Sequence, residues 1–201
     1  MNKKFIILIF LASLVIGWQL VRVGYFPMHD DLQVMRLFQM RRCFDNGQIP
    51  CRWSPDMGNN YGQPMFNFYS VFPYYLGMVF NFIGFSFVDT VKILFFLSLF
   101  LSGVFVFLLA RRFVSPLASF VSAIAYMVAP YHALDIFVRG AMSESWGLTL
   151  VPAVLLTLYD LIKKPNMVSS ILFGLSLAAL LTTHNITSII TAPIFLLFAI
   201  L

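Results

Sequence analysis

Six apolar runs set the terms on which this chain can fold: Phe5–Val21, Val91–Ala110, Val114–Val128, Leu148–Ile162, Val168–Leu181 and the stretch from Ile186 onward. A helix that crosses a bilayer needs roughly 20 apolar residues, or about 17 once tilt and end effects are allowed. The runs reach that length alone or with their flanks. Pairs of cations mark their ends: Lys3 with Lys4, Arg111 with Arg112, Lys163 with Lys164. This is how anchoring charges are placed in cytoplasmic loops, so the net charge of +5 implies no nucleic-acid partner. A charged fraction of 10% excludes an ordinary soluble domain, which is about a quarter charged. The expected fold is an all-α integral membrane protein, a polytopic bundle of helices in the lipid bilayer.

Charge also decides how the chain is threaded. The run Val71–Phe87 is apolar but carries Pro73, Tyr74, Tyr75, Asn81 and two glycines. With Lys3 and Lys4 inside, the first loop lies outside. If Val71–Phe87 spanned, both later cation pairs would fall outside; if it lies in the outer interface, both fall inside, as the positive-inside rule prefers. That choice brings Tyr131–Glu144 and Thr182–Asn185 to the same face as His29, Asp30 and Asp31. Lys92, near the outer end of its helix, is then expected to snorkel or to pair with Asp89. The first run follows Lys3 and Lys4 and has no small-residue cleavage site, so it reads as an uncleaved signal anchor. The expected organisation is an anchor over 1–24, an extracytoplasmic loop with juxtamembrane helices over 25–88, and further membrane helices over 89–201. Leu201 falls inside an apolar run, which suggests an N-terminal fragment of a longer protein.

The loop from Tyr25 to Tyr75 holds four of the eight acidic residues. Ionisable groups where a helix leaves the bilayer are costly without a partner or a task. Asp31 to Asn46 can form an amphipathic helix with Leu32, Met35, Leu37, Phe38 and Phe44 on its apolar side and Arg36, Arg41 and Arg42 elsewhere. Gly47 stands where a left-handed residue would end it. Trp53–Pro64 is rich in turn formers, and Phe66–Tyr75 reads as an interfacial aromatic belt. Cys43 and Cys51 share the loop, either as a disulfide if it faces an oxidising compartment or as two thiols.

Three places can carry chemistry. Asp30 and Asp31 precede a helix, where the positive dipole end favours carboxylates; one can accept a proton or hold a divalent cation, or it is simply an N-cap. In Tyr131–Glu144, Arg139 can grip a phosphate and Glu144 can share a metal or position an acceptor. The plain alternative is an Asp135–Arg139 helix pair, which would leave Glu144 unpaired. Third is Thr182–Asn185, where His184 can touch a phosphate or simply hydrogen-bond at the interface; His29 poses the same choice. The glycine-rich phosphate loop, Cys-x-x-Cys and His-Glu-x-x-His are all missing from the sequence.

These residues carry a resemblance. His29-Asp30, Gly47 to Pro55, Gly62 to Tyr69, Pro73 to Leu76, Ala129 to Tyr131, Val138 to Ala141 with Glu144, and Thr183 to Thr187 together resemble bacterial membrane proteins labelled "6-pyruvoyl-tetrahydropterin synthase-related". Pterin synthesis needs a zinc-binding histidine trio, which three scattered histidines on a membrane chain do not resemble, so no pterin is expected. The family in turn resembles the GT-C glycosyltransferases, which use polyprenyl-phosphate-linked sugars outside the cytoplasm. That resemblance implies an essential acid after the first membrane helix, matched by Asp30 with Asp31 its neighbour. It also implies a second acid in the next outer loop, matched by Glu144. Arg139 and His184 would contact the lipid phosphate, a divalent metal would sit at Asp30 and Glu144 if one is used, and the protein would serve the cell envelope from the bacterial cytoplasmic membrane. GT-C enzymes have many more helices than this chain. Two alternatives stand beside it: a non-catalytic lipid-handling or assembly protein, and a transporter.

Overall fold

The structure, a computed structural model, describes residues 3–25 and 27–200; Leu201 lies outside them. Among the described residues every regular element is helical. Two helices among the described residues are long and apolar enough to cross a membrane: α6 (Phe87–Ala110, 24 residues) and α9 (Met142–Lys163, 22 residues). They pack side by side as the central pair through small polar residues. Ser98 Oγ meets Ser145 Oγ at 2.6 Å, and Thr149 Oγ1 donates to the Ser98 carbonyl at 2.8 Å. Hydroxyls of this kind let two backbones approach and bond where lipid offers no competing partner.

Around this pair stand α1 (Lys3–Ile16) with the short α2 (Trp18–Val21), α7 (Pro116–Met127), α10 (Met167–Leu181) and α11 (Asn185–Ile200). The first three lie on α6 or α7, and the last two pack on α9. After α7 the chain bends by 43° into α8 (Pro130–Ala133) and a π-helical turn over Leu134–Arg139; together these segments make a third candidate span. Pro130 supplies the break, since its ring cannot continue the preceding helix. The runs beginning at Phe5, Val168 and Ile186 form helices of 14, 15 and 16 residues, shorter than an uninterrupted span of about 20.

Two smaller helices roof one end of the bundle. The first, α3, runs Gln33–Asp45, two residues shorter at its start than expected. Its buried side holds Gln33, Leu37, Gln39, Met40 and Cys43, whereas Leu32 is exposed. The expected stripe is displaced because Gln33 and Gln39 are drawn inward by Asp30 and Asp56. Gly47 ends the helix at φ +70°, with Gly47 N–H donating to Phe44 O and Gln48 N–H to Cys43 O, both at 2.9 Å, the paired bonds of a Schellman motif. Cys43 and Cys51 are joined by a disulfide, with Cα atoms 5.5 Å apart. The second roofing helix is α5 (Phe72–Ile83), which follows the single turn α4 (Met65–Phe68). Its 12 residues extend only about 18 Å, too short to cross about 30 Å of hydrocarbon. It lies against α3 and α6 with Tyr74, Gly77 and Met78 inward.

Lys92 neither snorkels nor pairs with Asp89. It is buried, and its Nζ donates to the carbonyls of Arg22 and Gly24, the latter at 2.9 Å. Asp89 is engaged elsewhere, 2.6 Å from the Ser86 hydroxyl that caps α6. Backbone carbonyls left free where α2 ends are closer to Lys92 than the acid one turn back, and they satisfy its ammonium inside the packed region.

Candidate functional site

The segment entering α3 is tied to the segment leaving the π turn. His29 N–H donates to Val138 O and Asp30 N–H to Arg139 O, both at 2.9 Å. Gly140 closes this junction at φ +66°, and a Cβ there would lie 2.9 Å from the Asp30 carbonyl oxygen. Gln33, fully buried, links both sides: its Nε2 donates to Gly140 O at 2.7 Å and to Asp30 Oδ2 at 3.0 Å. Its Oε1 accepts from Tyr74 Oη at 2.5 Å. Burial holds the Tyr74 phenol well above its usual range, so it stays a donor. Arg36 Nη1 sits 2.6 Å from Asp30 Oδ2, with its guanidinium 4.3 Å from the Tyr69 ring centre. Both bonds to the carboxylate fall on Oδ2, so Oδ1 has no protein hydrogen-bond partner among the described residues. The α3 N-cap is Leu32, without a side-chain cap, so neither Asp30 nor Asp31 serves as one.

The second acid is held by the π turn. Arg139 Nη1 lies 2.6 Å from Asp135 Oδ1 and 2.6 Å from Glu144 Oε2. Tyr131 Oη donates to Glu144 Oε1. The i, i+4 pair therefore forms, but it does not leave Glu144 unpaired: one guanidinium nitrogen bridges both carboxylates. These contacts run through Nη1, and Nε and Nη2 make no hydrogen bond among the described residues. Charge-assisted bonds of this kind are short and fix orientation.

The third strand of the site is the α10–α11 junction. Thr182 O accepts from the Val71 and Phe72 N–H groups at 3.1 and 3.3 Å, fastening the start of α5 to the end of α10. His184 Nδ1 is 2.6 Å from Thr187 Oγ1. Burial lowers the His184 pKa below its ordinary value, with Glu144 raising it and Arg139 lowering it to a smaller extent. The neutral imidazole is thereby favoured.

These three junctions enclose an open cleft of about 760 Å³ lined by His29, Asp30, Arg139, Glu144 and His184. Its wall includes Tyr69 and Ser143, and Ser143 Oγ bonds Ser70 Oγ. Asp31 is exposed and lies outside the lining. Gln33, Arg36, Tyr74 and Tyr131, which hold the two acids, are additions to the residues expected from sequence. Among the described residues no group of three or more His, Cys, Asp or Glu is arranged to hold a metal ion. Asp30 and Glu144 come instead from separate segments, each already paired with an arginine.

The family described as the 6-pyruvoyl-tetrahydropterin synthase related domain, a membrane protein, matches residues 66–201. The chain belongs to this family. The family region contains Arg139, Glu144 and His184 and the wall from Phe66 to Val71, whereas Asp30 precedes it. Comparison with curated proteins and with solved structures finds no match. What the family name attaches to this chain is membrane residence, in keeping with the apolar helices.

Proposed function

We propose that the cleft is the reaction site of a GT-C-type glycosyltransferase, acting on a sugar carried by polyprenyl phosphate at the extracytoplasmic face. The observation that carries this reading is the convergence of two carboxylates and an arginine, from segments over 100 residues apart in sequence, on one cleft at one end of an apolar bundle. Leu181 and Ile186, both exposed, border the cleft where a prenyl chain would leave it for lipid. Two observations support the orientation: the Cys43–Cys51 disulfide suits an oxidising compartment, and Arg111, Arg112, Lys163 and Lys164 gather at the opposite end.

In this reading an acceptor hydroxyl attacks the anomeric carbon, the bond from that carbon to the phosphate oxygen breaks, and the hydroxyl proton passes to Asp30 Oδ1. Negative charge grows on the departing polyprenyl phosphate, which Nε and Nη2 of Arg139 and the His184 imidazole receive. Asp31 adds local negative potential, and Glu144 holds Arg139 and orients the acceptor. Positioning and charge neutralisation supply most of the rate. Replacing Asp30 by Asn in the complete protein is expected to lower sugar transfer by about 10²–10⁴-fold, the usual contribution of a positioned base. Full activity would remove Asp30 from the chemistry.

One observation favours a second reading. Both acids are ion-paired with arginines, as suits a protein that grips a lipid-linked ligand without turning it over. In that case Asp30→Asn would keep biological function and ligand binding. A transporter is less favoured, because its site is expected near the bilayer midplane and this cleft lies at the helix ends.

A further inference from the structure

The opposite end of the bundle holds a second cavity, also of about 760 Å³, that the proposed reaction does not use. Arg111 and Arg112 follow α6, Lys163 ends α9, and Lys164 follows it, so four cations converge there. One carboxylate faces them: Asp160 Oδ2 is 2.6 Å from Arg112 Nη2. Arg111 Nη1 donates to Val114 O at 2.6 Å, and Lys163 lies over the Tyr159 ring. Neither of these residues, nor Lys164, has an acidic partner among the described residues, so the cavity keeps an excess of positive charge. Topological anchoring explains the sign of these side chains. It does not require them to line a concave surface.

The floor of the cavity points to the ligand. Val168 and Leu172 belong to its lining, and they begin an exposed apolar stripe on α10 that continues through Ile171 and Leu175. Residues three and four apart share one helix face, so the stripe runs from the cations toward the middle of the bundle. A free phosphate would use the cations alone, whereas a phospholipid would use both. We propose that this cavity is a binding site for an anionic phospholipid, its headgroup phosphate among Arg111, Lys163 and Lys164 and its acyl chains along Val168, Leu172 and Leu175. Basic pockets between membrane helices recognise anionic headgroups by this combination of charge and apolar wall.

The test uses the complete chain purified in mild detergent, incubated with equal amounts of phosphatidylglycerol and phosphatidylcholine and read by native mass spectrometry. Retention of one phosphatidylglycerol in preference to phosphatidylcholine is expected. The Arg111→Gln/Lys164→Gln variant should weaken that retention about 10-fold or more, while Arg111→Lys/Lys164→Arg should keep it. Millimolar inorganic phosphate should leave the lipid bound. Equal retention of the two lipids, or an unchanged Gln variant, would overturn the proposal. Displacement by inorganic phosphate would also overturn it and mark a free-anion site. If the Gln variant fails to fold, salt titration of the wild-type complex decides: retention that does not fall with rising salt counts against a charge-based site.

Discussion

Gly140 joins the two halves of the candidate site because it has no side chain. Its φ of +66° is in the left-handed region, and a Cβ would meet Asp30 O and the Met28 side chain. Gly140→Ala should therefore destabilise the protein, by about 1–2 kcal/mol from the backbone conformation alone, and separate Asp30 from Arg139. Gly174, in α10, has open space around the Cβ position, so Gly174→Ala should be neutral or stabilising by about 0.5–1 kcal/mol. Thermal unfolding of both variants in detergent checks this; equal midpoints would mean the junction is not under the constraint described. At this scale Asp30, Arg139, Glu144 and His184 were legible in the sequence because each is an ionisable residue in a segment between apolar runs. Their holders were not. Gln33 reaches Gly140 across 107 positions and Tyr74 across 41, and no local pattern records such pairings.

At the scale of elements, the positions of the apolar runs gave most of the helices, and the breaks inside them gave the corrections. Run Val114–Val128 yields α7, but the π turn over Leu134–Arg139 lies beyond that run and was not legible in it. The short length of α5 was readable from Pro73 near its start and Gly84, at φ +111°, after its end. Lys92 shows how elements are joined through backbone groups that sequence reading tends to overlook. Its ammonium satisfies the carbonyls of Arg22 and Gly24, fixing the exit of the first helix to α6. Lys92→Met keeps the apolar stem and removes the donor, leaving those carbonyls unsatisfied. A loss of about 1–3 kcal/mol is expected, seen as a lower thermal midpoint and faster proteolysis between α2 and α3. An unchanged midpoint would mean that water serves the carbonyls equally well.

For the whole molecule, the deciding property is its polarity from end to end. Asp30, Glu144, His29 and His184 line the cleft, and Arg111, Lys163 and Lys164, without acidic partners among the described residues, line the second cavity. On the proposed orientation the disulfide-bearing end faces an oxidising compartment and the basic end faces the cytoplasm. Charge in the sequence suggested this division, but it left the state of the cysteines open because eight residues of separation do not decide whether two thiols meet. The chain has two cysteines, Cys43 and Cys51, so a direct measurement follows. On the proposed orientation, intact cells treated with a membrane-impermeant reductant and then an impermeant maleimide should add two labels to the protein, and none without the reductant. Labelling only after lysis would turn the cleft toward the cytoplasm. It would then separate the site from the extracytoplasmic sugar donors on which the glycosyltransferase reading depends, while leaving the basic cavity to be tested in the opposite leaflet.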